Sequence, residues 1–158
     1  SNARSASPGN FHQIRDTTAA WGEFDFDECI WTIPEGRTKT GAEHRVPLTA
    51  QMIAIVEPLK ALRSACVFEG QKRHKPLSNM SMLMLLRRMQ TDNITVHGFR
   101  STFRDWASEE ASAPREVAEM SLGHKVGNEV ERAYARSDLL QKRRELMERW
   151  CSHVASQC

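Results

Sequence analysis

The stretch from His97 to Ala111 constrains the fold more than any other part of the chain. At about 100° per residue, Phe99, Phe103 and Trp106 fall on one side of a helix, while His97, Arg100 and Arg104 share the opposite face. The aromatic side predicts an anchor in a core. The polar side presents one imidazole and two guanidiniums from a rigid support, a platform suited to gripping a phosphate. The competing reading is an amphipathic helix whose charged side simply faces water. This helix alone favours that simpler reading.

The flanking sequence predicts further helices. Thr49 suits the N-cap of a helix running to about Ala61, with Met52, Ile55, Val56 and Leu59 on one face. Ser78 suits the cap of a Met- and Leu-rich helix from Met80 to Met89, apolar most of the way round and therefore expected to be deeply buried. Pro114 fits the first turn of a helix ending near Gly123, where glycine suits a C-cap. Two more helices are expected, over Asn128 to Arg136 and over Asp138 to Val154, the last with a stripe of Leu139, Leu146, Trp150 and Val154.

Upstream, Glu28 to Ile33 is rich in β-branched and aromatic residues, and His44 to Leu48 reads as a second short strand. Together they predict a β-hairpin with a long, basic connection. The fold class is α+β, mostly α-helical, with a small antiparallel sheet near the N-terminus. Residues 1–3, Ser-Asn-Ala, read as a scar of tag removal. Residues 4–20 have turn chemistry at Ser7-Pro8-Gly9-Asn10 and no clean period, and residues 21–158 form one domain.

Composition excludes several classes. With 158 residues and 40% apolar content, the chain suffices for one compact domain with a core. A net charge of +2 does not by itself argue for nucleic acid. The local clusters Arg87-Arg88 and Lys142-Arg143-Arg144 each read, alone, as solvated helix faces. Cys29, Cys66, Cys151 and Cys158 show neither CxxC spacing nor paired histidines, which argues against structural zinc and a disulfide framework. No metal is expected. With no signal peptide and no apolar run near the ~20 residues of a membrane span, no membrane association and a cytoplasmic location are expected.

After His97 come Leu122-Gly123-His124-Lys125 and, ten residues beyond His124, Tyr134, the only tyrosine in the chain. Val130 and Ala133 put it on the apolar side of its helix, so an ordinary core tyrosine is the simple reading. The run His97-Gly98-Phe99-Arg100-Ser101-Thr102-Phe103-Arg104-Asp105-Trp106-Ala107 resembles the His-x-x-Arg box of prophage-type tyrosine recombinases, the phage integrases. Leu122-Gly123-His124 resembles their next box, and Glu131-Arg132-Ala133-Tyr134 their nucleophile segment. Trp21-Gly22-Glu23-Phe24-Asp25 and Trp31-Thr32-Ile33-Pro34 are similar to the strand region. Arg37-Thr38-Lys39-Thr40 with His44-Arg45-Val46-Pro47-Leu48 is similar to the hairpin carrying the family's lysine. The resemblance covers about Trp21 to the end, the C-terminal part of a catalytic domain with the DNA breaking-rejoining enzyme fold.

The resemblance implies Tyr134 as nucleophile, forming a 3′-phosphotyrosine and releasing a 5′-hydroxyl. Arg100 would hold the non-bridging oxygens, and His124 would donate a further hydrogen bond. His97 would act as acid/base for the tyrosine proton, and Lys39 would protonate the departing 5′-oxygen. Taken alone, Lys39 reads as an exposed loop lysine. Arg104, Arg37 and Lys125 are the implied DNA contacts. No cofactor is implied, because exchanging one phosphoester for another conserves bond energy. The implied partners are double-stranded DNA attachment sites, further copies in a tetramer on DNA, and a directionality factor, in the bacterial cytoplasm at the nucleoid. Without the family's preceding helices the Met-rich helix would lose part of its packing partner, and the patch so exposed, with the Leu139–Val154 stripe, would favour self-association.

One family element is missing. An Arg-x-Gly-Glu-like box would put an arginine nine residues before Trp21, where His12 stands. Arg15 lies three residues later and is the candidate for that role; Arg4 lies too far upstream. Two alternatives therefore stand beside recombination: a catalytically incomplete DNA-binding or assembly remnant, and a nicking-closing activity like that of type IB topoisomerases.

Overall fold

The computed structural model describes residues 18–38, 40–70, 72, 75–78, 80–91, 94–124, 126–127 and 138–157. Arg15, Lys39, Lys125, Tyr134 and the helix expected over Asn128 to Arg136 lie outside the described residues. Three short strands, β1 (Phe24–Asp25), β2 (Ile30–Ile33) and β3 (His44–Pro47), form an antiparallel sheet in that order. The register sets Trp31 opposite Val46, Thr32 opposite Arg45 and Ile33 opposite His44. The expected hairpin is present, but its first strand starts later than Glu28. There the Asp25 carboxylate accepts the N–H groups of Asp27 and Glu28 and closes a turn. Phe24 stacks on Trp31 with centroids 5.2 Å apart, and the aromatics of this region pack on a small core of Ala19, Val56 and Val67.

Helix α1 (Ala50–Val56) begins as expected at Thr49, whose hydroxyl accepts the Met52 N–H. It does not run on to Ala61 as an α-helix. Pro58 has no N–H to donate, and residues Glu57–Leu62 tighten into a 3₁₀ helix. The change of period breaks the expected stripe: Val56 and Leu59 reach the small core, whereas Ile55 is 68% exposed.

Helix α2 (Ser81–Arg88) corrects two expectations. The Ser78 hydroxyl meets that of Ser81 instead of capping a backbone N–H. The helix is also not deeply buried: Leu86 is its one buried residue, and Met80, Met82, Met84, Leu85 and Met89 are exposed. No helix or strand among the described residues runs along it closely enough to cover the rest.

The main core lies where α3 (Val96–Glu109), α4 (Arg115–Ser121) and α5 (Leu140–Ser156) meet. Thr95 caps α3 by accepting the Gly98 N–H at 3.0 Å. Phe103, Trp106 and Ala107 pack against Val117, Ala118 and Leu146. Trp150 closes the cluster, edge-on to Phe103 at 5.5 Å and 5.0 Å from Trp106. Burying each such aromatic contributes about 1.5–3 kcal/mol. The partner helices cover the aromatic stripe only from Phe103 onward, so Phe99, expected in the core, is 51% exposed. Val154, past the other end of the contact, is exposed too.

Of the Lys142-Arg143-Arg144 cluster, Lys142 faces solvent as expected, but the two arginines do not. Arg143 is 1% exposed, and Arg144 donates to the carbonyls of Glu28 and Cys29. These arginines fasten α5 to the sheet. Among the described residues, no helix is long and apolar enough to cross a membrane.

Candidate functional site

The polar face of α3 meets the turn that ends α4, and local chain chemistry decides both. In the first turn of α3, a Cβ on Gly98 would come within 3.3 Å of the Thr95 hydroxyl that caps the helix. Glycine there leaves the cap room to close, and Arg100 follows on the next turn. At the end of α4, Gly123 takes φ of 72°, a left-handed conformation that glycine adopts without strain. Its N–H bonds the Met120 carbonyl, and the His124 N–H bonds the Glu119 carbonyl, both at 3.0 Å. That pair of bonds is a Schellman closure, and it folds His124 back over the last turn of its own helix.

The side chains complete the same loop. His124 Nδ1 lies 2.6 Å from Glu119 Oε2, and the other Glu119 oxygen lies 3.1 Å from Arg104 Nε. A carboxylate can only accept, so Nδ1 carries the hydrogen and Nε2 is left facing Arg100 Nη2 at 3.2 Å. That tautomer is assigned from its partners. The same Arg100 nitrogen donates to the Leu122 carbonyl at 2.5 Å. The hydrogen bond from His124 holds the Glu119 carboxyl below the ordinary range; burial opposes it, and the positive charge of Arg104 reinforces it. The Glu119 carboxylate thus orients Arg104 and His124 directly, and His124 in turn meets Arg100.

His44, on β3, borders this cluster electrostatically. Burial lowers its pKa from 6.5 to about 4, helped by the charges of Arg143 and Arg100 and opposed by Asp138. Its Nε2 is buried and has no hydrogen-bond partner among the described residues.

Of the residues singled out from sequence, the structure brings Arg100, Arg104 and His124 together. His97 stands exposed in the first turn of α3, three residues before Arg100. Arg37 is half-buried, pairing with Glu23 at 2.7 Å and with the Thr18 hydroxyl, and Glu23 also accepts the Trp31 indole N–H. Lys39 is flanked by Thr38 and Thr40 in the connection between β2 and β3, and Lys125 follows His124. Sequence reasoning missed Glu119 and His44. The spacing Glu119-x-x-x-Gly123-His124 carries a signal for the first, because a Schellman turn brings its first and last residues together. Among the described residues, no group of three His, Cys, Asp or Glu side chains is placed to hold a metal ion. A shallow groove of about 750 Å³ along α5, lined in part by Trp106, Arg149 and His153, shares no residue with the cluster.

Comparison with known proteins identifies relatives of the chain. The Phage integrase family profile matches residues 10–140. The chain is 37% identical to the prophage integrase IntA of Escherichia coli K12, over 86% of this chain and 34% of that protein. It is 31% identical to the integrase of Enterobacteria phage P4, over 86% of this chain and 35% of that protein, and 30% identical to the integrase of Shigella phage Sf6, over 82% and 35%. The chain therefore spans about a third of the length of the relatives it matches. No solved structure matches it.

Proposed function

The chain belongs to the phage integrase family, and on that premise we propose that it is the C-terminal catalytic part of a site-specific recombinase that integrates or excises prophage DNA through Tyr134. The observation that carries this reading is the Arg100–His124–Glu119–Arg104 cluster, a preorganised set of donors for a phosphate with a carboxylate behind it.

In the free protein Arg100 is folded onto a neutral carbonyl and an imidazole nitrogen. A phosphodiester anion is the stronger acceptor for a guanidinium, so Arg100 turns to it. Held at Nδ1 by Glu119, His124 turns its Nε2 edge to the same phosphate as a further hydrogen-bonding group. The Tyr134 hydroxyl oxygen attacks the phosphorus and its proton passes to His97. The bond to the 5′-oxygen breaks, and that oxygen takes a proton from Lys39. The number of phosphoester bonds is unchanged, and rejoining runs the same steps backwards with the 5′-hydroxyl of a partner strand. Arg104, Arg37 and Lys125 serve as backbone contacts, with Arg15 the candidate second arginine at the phosphate. Strand exchange takes place between double-stranded attachment sites in a tetramer, as in the resembled family, with a directionality factor as a further partner, at the bacterial nucleoid.

The test uses supercoiled plasmid carrying the DNA that flanks the gene, incubated with the full-length protein and quenched with detergent. A protein–DNA adduct with the wild type and none with Tyr134→Phe is the expected result. An undiminished adduct with Tyr134→Phe refutes the reading. Relaxed plasmid without exchange between two sites would point to nicking-closing instead.

A further inference from the structure

The segment that follows Tyr134 is fastened to the strand that follows Lys39. Asp138, four residues after Tyr134, uses three of its atoms. Its Oδ1 accepts the Leu140 N–H at 3.2 Å and so starts α5; its Oδ2 pairs with Arg45 Nη1 at 3.4 Å; its carbonyl accepts from Arg143 Nη1 at 3.3 Å. Arg143 then reaches across to the Arg45 carbonyl with Nη2 at 2.5 Å. Arg45 lies on β3, next to His44, whose imidazole feels Arg143, Asp138 and Arg100 together.

Resting on the reading of Tyr134 as nucleophile, we propose that Asp138, Arg45 and Arg143 form a positioning clasp, which pins the chain just beyond the nucleophile to β3 and so registers Tyr134 against the lysine hairpin. Two observations carry the proposal. The first is energetic. Arg143 is 1% exposed, and Nε is buried without a partner among the described residues. Desolvating a guanidinium is costly, and an apolar side chain of similar volume often serves a core as well or better. What the guanidinium adds is direction, since it holds two carbonyls 93 residues apart in sequence, those of Arg45 and Asp138, in one fixed relation. The second is covalent. Four residues of chain reach at most about 14 Å, so anchoring Asp138 bounds the position of the Tyr134 backbone whatever path lies between.

Asp138→Asn and Arg45→Gln test the clasp at its more accessible half, where both side chains are partly exposed. Arg143→Met is a third variant. Each is made in the full-length protein, with wild type and Tyr134→Phe alongside. The measurements are the rate of covalent adduct formation at saturating DNA, the affinity for DNA, and Tm. A misplacement of about 1 Å typically costs about 10²-fold in rate, so Asp138→Asn should slow adduct formation by that order with affinity and Tm nearly unchanged. A substrate with sulfur at the bridging 5′-position separates the two ends of the clasp, because a thiolate leaves without a proton. A defect that persists with this substrate lies at Tyr134, as proposed; one that vanishes lies at Lys39 and overturns the assignment. Wild-type rates in Asp138→Asn and Arg45→Gln overturn the clasp while leaving Tyr134 as nucleophile intact. A rate loss matched by loss of Tm in every variant also overturns it, since the contacts then only hold the fold. If instead Tyr134→Phe still forms the adduct, it is the nucleophile reading that fails.

Discussion

Acidification should destabilise this fold through His44. Its pKa is lowered from 6.5 to about 4 by burial first and then by the charges of Arg143 and Arg100. Between those values the unfolded chain binds a proton that the folded chain refuses, so stability is complete above the unfolded value and falls as pH drops towards about 4. The full shift corresponds to about 3 kcal/mol, and the part lost between about pH 7 and about pH 5 is about 2 kcal/mol. Other groups titrate in the same window, so the quantity to measure is a difference. Urea unfolding followed by tryptophan fluorescence at both pH values, for wild type and His44→Gln, isolates it, because the amide cannot titrate. The wild type should lose about 2 kcal/mol more than the variant over that interval. Equal losses would refute the reasoning, as would an imidazole titration of His44 by NMR with a midpoint near 6.5.

Three further outcomes follow from the cluster and the core. Arg100→Ala should slow DNA cleavage by about 10²–10³-fold with DNA affinity largely retained, as for loss of one preorganised donor; equal cleavage rates would remove Arg100 from the site. Glu119→Gln should slow cleavage by about 10²-fold, because His124 loses the carboxylate that orients it; single-turnover assays with protein in excess over DNA give the rate. Phe103→Ala should cost about 3–5 kcal/mol in urea unfolding, whereas Phe99→Ala should stay within about 0.5 kcal/mol, although both sit on the same helical stripe.

Local chemistry made much of this fold legible. Thr49 and Thr95 are caps by residue type, and Gly123 ends α4 in the conformation its lack of a Cβ permits. Strand β2 is legible from its β-branched and aromatic residues, which suit a pleated, half-buried surface. What periodicity does not carry is the extent of a partner. Phe99 obeys the pattern of a buried face, yet the helices that would cover it stop one turn short, and Ile55 lies where α1 gives way to a 3₁₀ helix of different period. The Met-rich α2 fails for the same reason as Phe99.

The site divides in the same way. Arg100, Arg104 and His124 stand out as charged residues at helical or turn spacing. Glu119 reads as one more surface glutamate until the turn brings His124 back over it. His44 and Arg143 were harder still. A lone histidine in a strand and an arginine within a basic run look solvated, and only contacts across 98 residues of sequence show Arg143 to be an interior donor to the Arg45 carbonyl.

The most direct test of the central claim is to find the atom that carries the DNA. The adduct formed with radiolabelled attachment-site DNA is digested with trypsin and nuclease, and the labelled peptide is sequenced by mass spectrometry. The prediction is a nucleotide joined through its 3′-phosphate to Tyr134, the only tyrosine of the chain, in the peptide Ala133-Tyr134-Ala135-Arg136, with a free 5′-hydroxyl on the other DNA end. A label on a serine, or a linkage through the 5′-phosphate, would contradict it.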